Sequence, residues 1–174
     1  MKWVFIVIGV IAGIIVLIAS IGALLPAEHT AVQSAKFKQT RQDLWAVLTD
    51  FAAMASWNTA YTEVKRLPDR NGNAAWSLIG NQGPMPLEVT EMDTARKLVT
   101  RVIDEGMPFG GTWTYELIDT NDGTVLKITE NGFIRNVIFR FMARFIFGYD
   151  ATMANFLSDL GRRFHEEVTF VDPT

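Results

Sequence analysis

The sequence contains no cysteine. That excludes a disulfide framework, a thiolate nucleophile and every cysteine-based zinc site. Histidine is scarce as well, with only His29 and His165, which leaves little for a histidine-rich metal site. Positive charge is not in excess: 16 Lys+Arg stand against 19 Asp+Glu, a net charge of −3. A nucleic-acid binder living on phosphate contacts needs the opposite balance. The motifs G-x-S-x-G, H-E-x-x-H and Walker A are all missing. His165-Glu166-Glu167-Val168-Thr169 lacks the second histidine of a zinc motif. Gly106–Gly111 is glycine-rich but joins two expected strands instead of opening a helix, so it is no phosphate cradle. The sequence therefore calls for no cofactor and no metal.

What is present begins with an apolar run. Trp3 to Leu25 is 23 residues without a charge, and 19 of them are apolar. As a helix it is roughly 35 Å long, matched to a hydrocarbon core of about 30 Å. Trp3 sits where an amphipathic ring prefers the interface, and Pro26 closes the other end. A cleaved signal peptide would have a shorter apolar region, about 7–15 residues, and an A-x-A-like site. Ile21-Gly22-Ala23 puts a bulky Ile at the −3 position and Ser20-Ile21-Gly22 is only tolerable, so the run reads as an uncleaved, single-pass anchor over residues 1–26. Lys2 and the amino terminus lie on the short side; by the positive-inside rule the N-terminus is cytoplasmic and the domain extracytoplasmic, periplasmic in a Gram-negative cell. Gly9 and Gly13 form a G-x-x-x-G, a spacing that allows close contact with another membrane helix.

Residues 27–174 read as one domain, close to the membrane because the join is only Pro26–His29. His29–Phe37 is a first strand. Thr40 and Asp43 resemble a capping box, with Leu44, Val47, Leu48 and Phe51 at helical spacing after it. A second short helix is expected at about Phe51–Trp57. Six strands follow, at Tyr61–Leu67, Ala74–Ile79, Met85–Met92, Leu98–Ile103, Thr112–Ile118 and Thr124–Glu130. Turn clusters such as Asp69–Asn73, Gly80–Gly83 and Asn121-Asp122-Gly123 separate them. Consecutive hairpins make an antiparallel meander. The tail is helical: a dense apolar run at Asn136–Phe147, a break at Gly148–Asp150, then a stripe of Met153, Phe156, Leu157, Leu160 and Phe164. The fold class is α+β, an antiparallel curved sheet gripping a long C-terminal helix, plus one N-terminal transmembrane helix.

Three segments resemble the SRPBCC superfamily, the START-like helix-grip proteins. They are Leu48-Thr49-Asp50-Phe51 with Trp57-Asn58, Pro108–Leu117, and Phe145–Leu160. The likeness covers nearly all of residues 29–167 and is nearest to the polyketide cyclase/dehydrase and lipid transport branch, which includes forms with one N-terminal membrane helix. The resemblance implies a hydrophobic cavity between sheet and C-terminal helix. Its lining candidates here are Trp57, Trp76, Leu87, Trp113, Tyr115, Phe141, Phe145, Met153, Phe156 and Leu157. The same residues at strand and helix spacing also describe an ordinary packed core.

An enzyme would need polar groups inside that cavity, and Glu88, Arg101, Tyr115 and Glu130 are the candidates. A solvated strand face, or a structural Glu–Arg pair, competes with that reading. His29 and His165 have no motif partner and read as surface or local structural residues. Arg135, Arg140 and Arg144 interleave with Phe139, Phe141, Phe145 and Phe147. Such a helix suits an anionic membrane surface; it suits equally well packing into the sheet with the arginines outward, or contact with a partner protein. Three functions follow, in order: a membrane-tethered domain binding a lipid or other hydrophobic small molecule, an accessory subunit of a membrane protein complex, and a small cyclase- or dehydratase-like enzyme.

Overall fold

The computed structural model describes residues 2–81, 83–103 and 106–172. Gln82, within the turn expected at Gly80–Gly83, lies outside the described residues. The apolar run forms one helix, α1 (Lys2–Leu24). From Trp3 to Leu17 its side chains are exposed, whereas Ile18, Ala19, Ile21, Gly22 and Leu25 are partly or fully covered. Pro26 disfavours helical geometry in the residue before it and so ends the helix.

Strand β1 (Glu28–Phe37) follows, then α2 (Arg41–Thr49) and a 3-10 turn, Phe51–Ser56. Thr40 caps α2: its hydroxyl accepts the Asp43 amide at 3.2 Å and donates to the Asp43 carboxylate at 2.6 Å. Such a cap contributes about 1 kcal/mol. The next six strands are β2 (Tyr61–Arg70), β3 (Asn73–Gly80), β4 (Gly83–Asp93), β5 (Lys97–Val102), β6 (Phe109–Thr120) and β7 (Gly123–Ile134). The chain then makes α3 (Val137–Met142), one wide helical turn at Ala143–Phe147, α4 (Ala151–Arg163) and a last strand, β8 (Thr169–Val171). All eight strands form one curved antiparallel sheet in the order β2-β3-β4-β5-β6-β7-β1-β8. This is the α+β helix-grip architecture expected from the sequence, with a long apolar helix at its N-terminus.

The inner face of the sheet meets α2, the 3-10 turn and α4. Ala35, Phe37, Leu78, Leu87, Val89, Leu98, Tyr115, Leu117, Leu126 and Ile128 supply the sheet side. Leu44, Leu48, Phe51, Met54 and Trp57 cover one part of it; Met153, Phe156, Leu157 and Leu160 cover another. The last four recur at three- and four-residue spacing and make one buried stripe on α4. Asp159, also buried on α4, accepts the Thr59 amide and hydroxyl, each at 2.7 Å. It fixes the helix against the start of β2.

Three elements differ from expectation. β6 and β7 run further than the apolar alternation suggests, because Gly110, Gly111 and Gly132 continue the ladder where breakers were expected to end it. β8 went unforeseen; a strand of three residues carries too little periodicity to read. The break expected at Gly148–Asp150 is present: Gly148, at φ 76°, turns the chain between the α3 segment and α4. The segment carrying α3 packs chiefly against α1, not into the sheet.

Candidate functional site

The inner face of the sheet is not completely filled. A cavity of about 500 Å³ lies between strands β3–β7 and the first turn of α4. Leu78, Met85, Leu87, Val102, Phe109 and Trp113 form most of its apolar wall; Tyr61, Thr100, Tyr115, Glu130 and Thr152 add polar groups. Small-molecule pockets have this character, apolar with a few placed polar atoms. The register explains the convergence. Trp113 lies opposite Glu130 and Thr100, and Tyr115 opposite Leu98 and Ile128, so one face collects them all.

Glu130 is the chemically distinctive member. Burial raises its pKa from 4.5 to about 7, against a hydrogen bond from Trp113 that lowers it. At neutral pH its carboxyl is thus divided between acid and anion. Its Oε1 stands 3.6 Å from Nε2 of His29, which is too far for a strong hydrogen bond. Burial lowers the pKa of His29, so near pH 7 its imidazole is neutral. The contact is therefore not an ion pair under those conditions. His29 Nδ1 is buried and has no hydrogen-bond partner among the described residues. The imidazole stacks on Tyr149 with ring centroids 4.3 Å apart. It reaches Glu130 because Gly132 lies opposite His29 in the ladder: a Cβ at Gly132 would come within 2.7 Å of the imidazole Cε1. A second, more open depression of about 400 Å³ lies over Glu28–Thr30 and Asn131–Phe133. The His29–Glu130 pair joins the linings of the two. Burial also holds the phenols neutral: the Tyr61 pKa is pushed up to about 12 and that of Tyr115 is raised further.

The ten lining candidates from the sequence fall into four groups. Leu87, Trp113 and Tyr115 line the cavity. Trp57 and Phe156 stand behind that wall: Phe156 lies 5.3 Å from Trp57, 5.9 Å from Trp113 and 5.7 Å from Tyr115 between ring centroids. Met153 and Leu157 are fully buried in the core, and Trp76 stacks on Phe51 at 5.5 Å. Phe141 and Phe145 pair with each other at 4.9 Å on the α3 segment, away from the cavity lining. Gly9 and Gly13 have open space around them; the glycine of α1 in tight contact is Gly22.

The polar candidates separate as sharply. Glu88 and Arg101 are cross-strand neighbours outside the cavity, bonded at 2.6 Å. Hydrogen bonds from Arg101 and then Asn73 hold the Glu88 carboxyl below the usual range. That is the structural Glu–Arg pair. Tyr115 and Glu130 do face the cavity. The residue missed by sequence reasoning is His29. Its only signal is positional: it stands opposite a glycine in the strand that carries Glu130. Among the described residues no cluster of His, Asp and Glu could hold a metal ion.

Comparison with known proteins places the geometry. The family model described as "Polyketide cyclase / dehydrase and lipid transport" matches residues 28–160. No curated protein matches the chain. Among solved structures, the di-domain aromatase/cyclase StfQ of the steffimycin biosynthetic pathway superposes with a TM-score of 0.63 at 11% identity. That match covers 77% of this chain and 50% of StfQ, so the chain spans about half of that protein. The Zhui aromatase/cyclase from Streptomyces sp. R1128 gives 0.61 at 12% identity, covering 78% of this chain and 93% of that one. A START superfamily protein from Mycobacterium smegmatis gives 0.60 at 12% identity, covering 78% and 96%. At such identities the likeness is one of fold.

Proposed function

From the premise that the chain belongs to the polyketide cyclase / dehydrase and lipid transport family, we propose that it is a membrane-tethered domain that binds a lipid or other hydrophobic small molecule. The observation that carries this reading is the cavity of about 500 Å³, with its apolar wall and the single carboxyl of Glu130 among its described lining. Residues 1–26 act as the anchor and 27–174 as the binding domain, with the N-terminus cytoplasmic and the domain extracytoplasmic. Tethering raises the local concentration of any ligand that partitions into the bilayer. Leu87, Trp113 and Tyr115 touch the ligand; Trp57, Phe156, Met153 and Leu157 shape the wall behind them. Glu130 meets the ligand's polar end. Gly9 and Gly13 remain accessible to a partner helix.

Native mass spectrometry of the full-length protein, extracted gently from its own membrane, tests the reading. A small apolar mass retained on the monomer supports it and begins to name the ligand. An empty protein released from a larger assembly supports the accessory-subunit reading instead.

One observation favours a second reading, an acid–base enzyme of the cyclase or dehydratase kind. Glu130 lines the cavity, and a second titratable side chain, His29 of the neighbouring depression, stands 3.6 Å from it. A carboxyl with a pKa near neutrality is suited to moving protons. A ligand that is recovered chemically altered, and recovered unaltered from Glu130→Gln, would establish it.

A further inference from the structure

The segment between β7 and α4 is the least expected part of the surface. Phe139 is 55% exposed, and Phe145, Ile146 and Phe147 are 59%, 59% and 63% exposed. Soluble surfaces rarely expose so many large apolar groups together. The segment also has a defined place relative to α1. Gly22, in the last turn of α1, lies so close to Val137 that an added Cβ would overlap the Val137 carbonyl. Arg140 reaches back to the same end. Its guanidinium donates to the carbonyls of Ile134 at 2.7 Å, Arg135 at 3.1 Å and Leu25 at 3.2 Å. A cation at a helix C-terminus also complements the helix dipole.

These contacts set a depth. A helix of 23 residues is roughly 35 Å long against a hydrocarbon core of about 30 Å. If α1 spans, its last turn lies at the edge of the hydrocarbon, and α3 is held at that edge.

The geometry points to Val137–Phe147 as an interfacial foot, with Phe139, Phe145, Ile146 and Phe147 seated in the lipid headgroup layer. The occupant of this apolar face is the bilayer that α1 crosses. Continuity with the spanning helix argues for it, and so does charge: Arg144 is exposed among these rings, the composition of a helix lying on anionic lipid. The foot is also tied to one wall of the cavity. The amide of Arg135, two residues before α3, donates to the Pro108 carbonyl at 2.8 Å, and its guanidinium donates to the Met107 carbonyl. Met107 and Phe109 line the cavity on that side, and Thr152 lines it beyond the foot. This inference rests on the tethered reading above and adds the orientation of the domain.

The absence of cysteine makes the test direct. Single variants Ile11→Cys, Phe145→Cys, Phe147→Cys and Asp93→Cys of the full-length protein are labelled with a nitroxide. Each is reconstituted in phosphatidylcholine–phosphatidylglycerol vesicles. Relaxation by oxygen, which favours lipid, is compared with relaxation by a water-soluble nickel chelate. The expected result is a deep label at position 11, headgroup-level labels at 145 and 147, and an aqueous label at 93. Adding Arg144→Glu is expected to shift the label at 147 outward. Aqueous labels at 145 and 147 with a deep label at 11 would overturn the foot and leave the tether standing. An aqueous label at 11 would overturn both. Dipolar broadening at 145 or 147 without lipid exposure would assign the face to a second copy and overturn the bilayer assignment.

Discussion

Replacing Glu130 with glutamine removes one proton-binding group while keeping its shape and an acceptor for Trp113. The unfolded carboxyl titrates near 4.5 and the folded one near 7. The folded state therefore holds the proton more tightly. The stability this confers is complete below about 4.5 and is lost as pH rises through about 7. At about 1.4 kcal/mol per pH unit, that interval is worth roughly 3 kcal/mol. His29 runs the other way. Its pKa is lowered by burial, so its contribution is present above 6.5 and is lost as pH falls. Because His29 stands 3.6 Å from Glu130, the two titrations are coupled, and repeating the Glu130→Gln comparison in a His29→Gln background isolates the Glu130 effect. Thermal unfolding of full-length wild type and Glu130→Gln, in one detergent from pH 4.5 to 8, reads the effect. The variant is expected to gain on wild type steadily with rising pH. At about 2–4 °C per kcal/mol for a chain of this size, the gain reaches roughly 6–12 °C. A difference that stays flat across the range, or widens toward acid, would show that Glu130 is not a buried, proton-holding group and would remove it from the proposed site.

Other perturbations have defined outcomes. Val102→Phe fills the cavity; an apolar fluorescent probe should bind at least tenfold more weakly, while the denaturation midpoint changes little. Undiminished probe binding would place the ligand elsewhere. Asp159→Ala strips a buried carboxylate from two Thr59 donors and should cost about 3 kcal/mol in urea unfolding, with Asp159→Asn between it and wild type. Gly22→Leu forces α1 away from the Val137 backbone, whereas Gly13→Leu meets open space. Limited proteolysis should open residues 135–150 in the first variant and not in the second. The Glu88 pKa is lowered by Arg101 and Asn73, so its stabilisation is full above the ordinary glutamate range and is lost in acid. Glu88→Gln should flatten the acid limb of wild-type stability below about pH 4.5.

Local pattern carried much of the architecture. A charge-free run of 23 residues can only bury itself in lipid or protein, and period-two alternation between turn clusters can only make hairpins. These are properties of neighbouring residues, so the helix, the six-strand meander and the α4 stripe are readable without coordinates. So is the polarity of single positions, which marked Tyr115 and Glu130 before their surroundings were known. Tertiary structure decided the rest, because it depends on which residues face one another across the sheet. The ladder put Glu88 on Arg101 outside the cavity and Glu130 on Trp113 inside it. It laid His29 over Gly132 and so brought an imidazole to that carboxyl. It also separated the aromatic residues into cavity wall, core and foot: Trp113, Phe156 and Phe145 look alike in sequence, and only the elements packed against each one distinguish them. Burial, which raises the Glu130 pKa, is likewise a product of distant segments. The sequence determined which side chains were available; packing determined which of them share a space, and with that their chemistry.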